Sequence, residues 1–126
     1  MISITLDQIV KSVDILKTLS KQDLNARLAY KICKIILAVD EEYNAFQDTR
    51  MKVITKYGEK NEDGTIKNDN GQVMILPENV EDAQRELKEL LETQVNLNVN
   101  ALTIDELENC TISPADMINL MPFIEE

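Results

Sequence analysis

The chain has 126 residues and a mass of 14.3 kDa, a one-domain size, and with 44% apolar and 29% charged residues it has the make-up of a chain that folds. Thirteen Lys and Arg face 23 Asp and Glu, a formal charge of -10, which disfavours phosphate backbones and anionic lipid as partners. There is no His and no Trp, which removes imidazole bases, His-ligated metals and Ser-His or Cys-His nucleophile pairs, and aromatics at 4% leave few platforms for base stacking.

Thr5 and Gln8 are spaced as a capping box, and Leu6, Ile9, Val10, Val13 and Leu16 follow at helical spacing, so a first helix is predicted from about Leu6 to Leu19. Its other side, with Asp7, Lys11, Asp14 and Lys17, is charged and solvated. Ser20 to Asp23 is a break, and Asp23 is placed to cap a second helix that meets no Gly or Pro before Gly58.

This long central helix repeats Ile32, Val39, Phe46 and Val53 every seven residues, flanked by Leu28, Ile35, Ile36, Tyr43 and Tyr57. Such a seam packs either on other helices of the same chain or on a second copy. In the second case Ile32, Val39, Tyr43, Phe46 and Val53 are the self-association residues, and the protein is a homo-oligomer through its long helix.

Between residues 58 and 77 the pattern changes, with turn signals at Asp63-Gly64 and Asn70-Gly71 around Thr65-Ile66 and Val73 to Leu76, which predicts a small β-hairpin insertion. The oxygen-bearing run from Glu59 through Asn61 and Asp63-Gly64 to Asn70 has offsets reminiscent of a calcium loop. It lacks the bidentate Glu expected at the last ligand position, so a plain turn is the better reading. Pro77 ends the hairpin and Asn79 can cap a third helix with the stripe Val80, Ala83, Leu87, Leu90 and Leu91. Glu81 with Arg85 and Lys88 with Glu92 are spaced for i,i+4 pairing.

Residues 94 to 100 alternate strictly, as a half-buried strand does, with Ile2 to Thr5 as its partner. Two more capping signals, Thr103 with Glu106 and Ser113 with Pro114 and Asp116, predict short helices at about Ile104 to Asn109 and Pro114 to Met121. The fold class is therefore mainly α: three principal helices including a long central one, a small hairpin and short strands, and short C-terminal helices, in a single domain spanning 1–126.

Charge is unevenly placed. From Glu89 to Glu126 there are eight acids and no base, while residues 1–88 carry only -2. A one-sign surface of this kind either solubilises or meets a basic partner. The candidate partner-binding residues are Asp105, Glu106, Glu108 and Asp116, with the Met-containing apolar run Met117, Leu120, Met121 and Phe123 beside them; that run can equally cap the core. The acidic cluster Asp40, Glu41 and Glu42 is spread around its helix and does not converge on one ion.

No phosphate loop, nucleophile elbow or dinucleotide fingerprint is present, so no catalytic residue, metal or cofactor is expected, and the chain is read as a non-enzyme. Cys33 and Cys110 lack paired metal or redox spacing and are expected as reduced thiols. The opening Met-Ile-Ser-Ile-Thr has no leader pattern and no apolar run reaches a membrane span, so the cytoplasm is the expected compartment.

Several features recur in a familiar order: the opening Ile4-Thr5-Leu6-Asp7-Gln8-Ile9, the central helix closing on Lys56-Tyr57-Gly58-Glu59-Lys60, the Asp63-Gly64 turn, and the segment from Leu102-Thr103-Ile104-Asp105-Glu106-Leu107 to Leu120-Met121-Pro122-Phe123-Ile124. In these the chain resembles a family of small phage and prophage proteins of unknown function from low-GC Gram-positive bacteria. The resemblance implies a phage-encoded accessory protein in the bacterial host cytoplasm or in the virion. It would bind and inhibit or sequester a host factor, anti-defence roles included, or else serve as a structural or assembly component of the particle.

Overall fold

The computed structural model describes residues 1–58, 68–69, 72–73 and 75–125. The chain is mainly α and divides into two compact units, one of Met1–Tyr43 with Thr93–Glu126 and one of Asn44–Glu92. The boundary falls inside the long helix.

The first unit opens with strand β1 (Ile2–Thr5) and helix α1 (Leu6–Ser20). The capping box is formed: Gln8 N–H donates to Thr5 Oγ1 at 3.2 Å and Thr5 N–H donates to Gln8 Oε1 at 3.0 Å. Leu6, Ile9, Ile15, Leu16 and Leu19 are buried along one side of α1. Ser12 is buried among them without cost, because its hydroxyl donates to the Ile9 carbonyl at 2.8 Å.

Helix α2 (Ala26–Tyr57) begins two residues later than the sequence implies, and its cap is Asn25 in place of Asp23. Asn25 Oδ1 accepts from Leu28 N–H at 2.9 Å and the Asn25 carbonyl accepts from Ala29 N–H at 2.9 Å. A long-range contact holds the preceding loop out of the helix. The Gln22 side-chain amide donates to Thr111 O at 3.0 Å and accepts from Thr111 N–H at 3.1 Å, as a strand neighbour would. Within the first unit α2 buries Leu28, Ile32, Ile35 and Val39.

β4 (Gln94–Leu97) pairs antiparallel with β1 in the register Ile2 to Leu97 and Thr5 to Gln94, the partner expected from the alternation. Ile2, Ile4 and Leu97 turn into the core, while Ser3 and Asn96 face out. The strand stops at Leu97 rather than Asn100, since Ile2 and Leu97 form the last pairing of the ladder. Beyond it lie β5 (Leu102–Thr103), a 3-10 turn at Asp105–Leu107, α4 (Pro114–Leu120), a second 3-10 turn at Met121–Phe123 and β6 (Ile124–Glu125). The expected helix at Ile104 to Asn109 is only that 3-10 turn. α4 packs on α1, and Ser113 caps it, accepting from Asp116 N–H at 3.2 Å. β5 and β6 pair in parallel, Leu102 with Ile124, a contact that no local pattern announces.

In the second unit α2 continues with Phe46 buried, β2 (Asn68–Asp69) pairs antiparallel with β3 (Gln72–Val73), and Gly58 bridges Ile75. These strands are those of the predicted hairpin, and the Asn70-Gly71 turn itself lies outside the described residues. The expected Asp63-Gly64 turn and Thr65-Ile66 stretch, and the residues 59–67 and 70 of the calcium-loop reading, lie outside the described residues. α3 (Val80–Leu91) follows a 3-10 turn at Pro77–Asn79. Asn79 makes no side-chain cap, because its backbone is already helical (φ -104°, ψ -6°) and a capping residue needs an extended one. Ala83 is the buried residue of α3 and Val80 stands exposed. Arg85 reaches Asp82 at 2.8 Å, one residue nearer in the chain than the expected partner Glu81. Lys56 Nζ meets Glu86 at 3.1 Å, and this hydrogen bond holds the Glu86 carboxyl below its ordinary pKa and raises that of Lys56.

Candidate interaction surfaces

The two ends of residues 104–121 are held side by side by the β5–β6 pairing, so the acidic segment forms a closed cap on the first unit. Asp105 and Glu108 are exposed on it and Asp116 is half-buried. Large aliphatics stand out on the same segment: Ile104 at 59%, Ile118 at 67% and Met121 at 56% exposure. Met117 is half-buried.

Three residues named as partner-binding do other work. Leu120 and Phe123 are fully buried and belong to the core, since α4 turns one side onto α1 and the 3-10 turn at Met121–Phe123 lies against β1. Glu106 is drawn inward by a charged partner. Its Oε1 accepts from Lys31 Nζ at 2.8 Å, from Thr103 N–H at 2.9 Å and from Thr103 Oγ1 at 3.1 Å, while Oε2 accepts from Lys31 at 3.1 Å. The Glu106 N–H returns a bond to Thr103 Oγ1 at 3.2 Å, completing a capping box. The Lys31 hydrogen bond, with those from Thr103, holds the Glu106 carboxyl below its ordinary pKa against the opposing effect of burial. Glu106 is thus a structural clasp between α2 and the cap.

The seven-residue seam of α2 is resolved in a similar way. Ile32, Val39 and Phe46 are buried within the chain, and Tyr43 and Val53 are half-buried, so the packing expected with a second copy is occupied by the protein's own core. The opposite face of α2 is the one left open. Ala26, Tyr30, Cys33 and Leu37 are all exposed, Tyr30 at 65% and Leu37 at 62%. Their 4-3-4 spacing copies that of the buried Leu28, Ile32, Ile35 and Val39, displaced by two residues, about 200° around the helix. Of these four the sequence singles out only Cys33, as a reduced thiol, although the 4-3-4 spacing is present in the residues themselves. On one flank stand Arg27, Lys34 and Glu41, seven residues apart, with Lys34 Nζ 5.7 Å from the Tyr30 ring centre. On the other, Leu24, Ala29 and Ile36 join Cys33 and Leu37 around a mainly apolar hollow of ≈ 360 Å³.

No group of three or more His, Cys, Asp or Glu among the described residues is placed to hold a metal, and no helix of the described residues is long and apolar enough to cross a membrane. Cys33 and Cys110 are unpaired thiols, and partial burial pushes the Cys110 thiol pKa up. What these surfaces offer chemically is contact: carboxylates and aliphatics on the cap, a small apolar stripe with charged margins on α2. No family model, no curated protein and no solved structure matches the chain.

Proposed function

We propose that this is a small acidic, phage-encoded interaction protein that binds and inhibits or sequesters a host factor with a basic surface, and that it performs no catalysis. One observation carries the reading: Asp105 and Glu108 stand exposed on the cap, in a segment without any base, and the exposed Ile104, Ile118 and Met121 share that segment. Carboxylates around exposed aliphatics suit a protein partner, with charge steering the encounter and apolar contact holding the complex. The resemblance to phage and prophage proteins fits a host-directed role and a particle component alike, and the charge concentrated in residues 89–126 is what favours the host-directed one.

The test is recovery of the partner from infected cells, followed by measurement of its association with wild type and with the Asp105→Asn, Glu108→Gln double variant. The expected result is a slower association for the variant at ~0.05 M salt and a difference that fades at ~1 M, where the Debye length shortens to about 3 Å. Equal rates at low salt refute the electrostatic role of the cap. Recovery of the protein in purified particles, with no host partner, favours the structural alternative.

A further inference from the structure

We propose that the free edge of β4 pairs with the same edge of a second copy of this chain, antiparallel about Asn96, joining two β1–β4 sheets into one of four strands. The hydrogen-bond phase of the β1–β4 ladder identifies the open groups. Leu6 N–H donates to Thr93 O at 3.0 Å, so the alternation of an antiparallel ladder makes Ile4–Val95 and Ile2–Leu97 bonded pairs and leaves Thr5–Gln94 and Ser3–Asn96 non-bonded. Thr5 agrees, since its N–H turns away from β4 to Gln8 Oε1. The N–H and C=O of Gln94 and Asn96 therefore point out from the sheet, and among the described residues no hydrogen bond takes them up. The 3-10 turn at Met121–Phe123 lies against β1. Beside β4 there is instead a hollow of ≈ 390 Å³, bordered by Asn96 to Val99 and by Leu37 and Ala38 of α2.

Outward N–H and C=O groups at strand spacing are answered by another strand, and the residues of this edge identify it as a copy of β4. Sheet edges are ordinarily guarded against such pairing by Lys or another charge, by Pro or by a bulge. Residues 94–100, Gln-Val-Asn-Leu-Asn-Val-Asn, contain no charge, Pro or Gly in a chain that is 29% charged. A two-fold axis at Asn96 sets Asn96 opposite Asn96, Gln94 opposite Asn98 and Val95 opposite Leu97. Amides then meet amides on the solvent face and aliphatics meet aliphatics on the core face. The same axis joins the outward groups of Gln94, Asn96 and Asn98 in bonded pairs, the phase in which β1 leaves them free. A slip of one residue would set amides against aliphatics and outward groups against groups already bonded to β1. The inward Val95 and Leu97 of the added strand extend the apolar layer over the hollow beside Leu37 and Ala38. This edge is distinct from the acidic cap and does not depend on which partner the cap takes.

The experiment uses the full chain. Sedimentation equilibrium from about 1 to about 500 µM measures the dimer constant of wild type, Asn96→Pro, Asn96→Lys, Asn96→Glu and an equimolar mixture of the last two. Asn96→Pro removes the central outward N–H while leaving the β1 ladder whole, because that N–H does not face β1, and is expected to weaken self-association at least ~10-fold. Asn96→Lys and Asn96→Glu each set like charges opposite one another and should also weaken it, whereas their mixture sets lysine opposite glutamate and should dimerise more tightly than either alone. A misfolded variant cannot give that rescue. In a Cys33→Ser, Cys110→Ser background, Asn96→Cys should form a disulfide-linked dimer under mild oxidation, since a bonded antiparallel pair holds its Cα atoms ~5.5 Å apart, and Ser3→Cys on the covered strand should not. A wild type that stays monomeric throughout, an Asn96→Pro dimer constant equal to wild type, a mixture no tighter than its components, or Ser3→Cys linking as readily as Asn96→Cys would each overturn the proposal.

Discussion

Replacing Glu106 separates structural from functional acidity. Glu106→Ala removes the Lys31 ion pair, whose two side chains are only 24% and 25% exposed, and removes the acceptor of the Thr103 N–H. A half-exposed ion pair contributes up to about 1 kcal/mol and an orphaned, partly buried N–H costs about 1–2 kcal/mol, so the loss should be roughly 2–3 kcal/mol. Glu106→Gln keeps a carbonyl acceptor for Thr103 and discards the charge, so it should cost about 1 kcal/mol. Urea denaturation at pH 7, read from the midpoint at constant slope, resolves both. The same experiment at lower pH supplies the second readout. The folded carboxyl titrates below its ordinary value of 4.5, so its contribution is full above that value and is lost as pH falls through the folded one. The gap between wild type and Glu106→Gln should therefore close toward pH 3. A Glu106→Ala variant as stable as wild type at pH 7, or a Glu106→Gln gap that persists undiminished in acid, would refute the clasp.

Adjacent residues of the cap should behave in opposite ways. Phe123→Ala should cost ~3–5 kcal/mol in urea denaturation, whereas Met121→Ala, two residues away and exposed, should change stability by less than about 0.5 kcal/mol. A Phe123→Ala loss no larger than that of Met121→Ala would place Phe123 on the surface. At the start of α2, Asn25→Ala should cost about 1 kcal/mol and Asp23→Ala only a few tenths, since the bond to Leu28 N–H belongs to Asn25. The reverse ranking in chemical denaturation would restore Asp23 as the cap. The thermal midpoint should be unmoved by chelator, and a fall of several degrees that calcium restores would mark a structural ion within residues 59–70.

Local chemistry made much of this protein legible in its residues. The Thr5–Gln8, Thr103–Glu106 and Ser113–Asp116 caps all form, and each depends on side chains and backbone within three residues of one another. The length of α2 follows from a run without Gly or Pro, and the β1–β4 pairing follows from period-two alternation with one apolar face. The uneven charge is a property of sequence alone.

Tertiary structure decided whatever depended on distant partners. Gln22 meets Thr111 across 89 residues, just ahead of the α2 cap at Asn25. Lys31 meets Glu106 across 75 residues and turns one of four candidate acids into a clasp, leaving Asp105 and Glu108 as the exposed pair. The parallel β5–β6 contact and the burial of Leu120 and Phe123 come from chain closure. Two apolar seams were present on α2 by spacing alone, but spacing does not say which is covered. Only the assembled core of the first unit could fill the one through Ile32 and Val39 and leave the one through Tyr30 and Leu37 open, because burial belongs to the whole set of elements and not to any helix by itself.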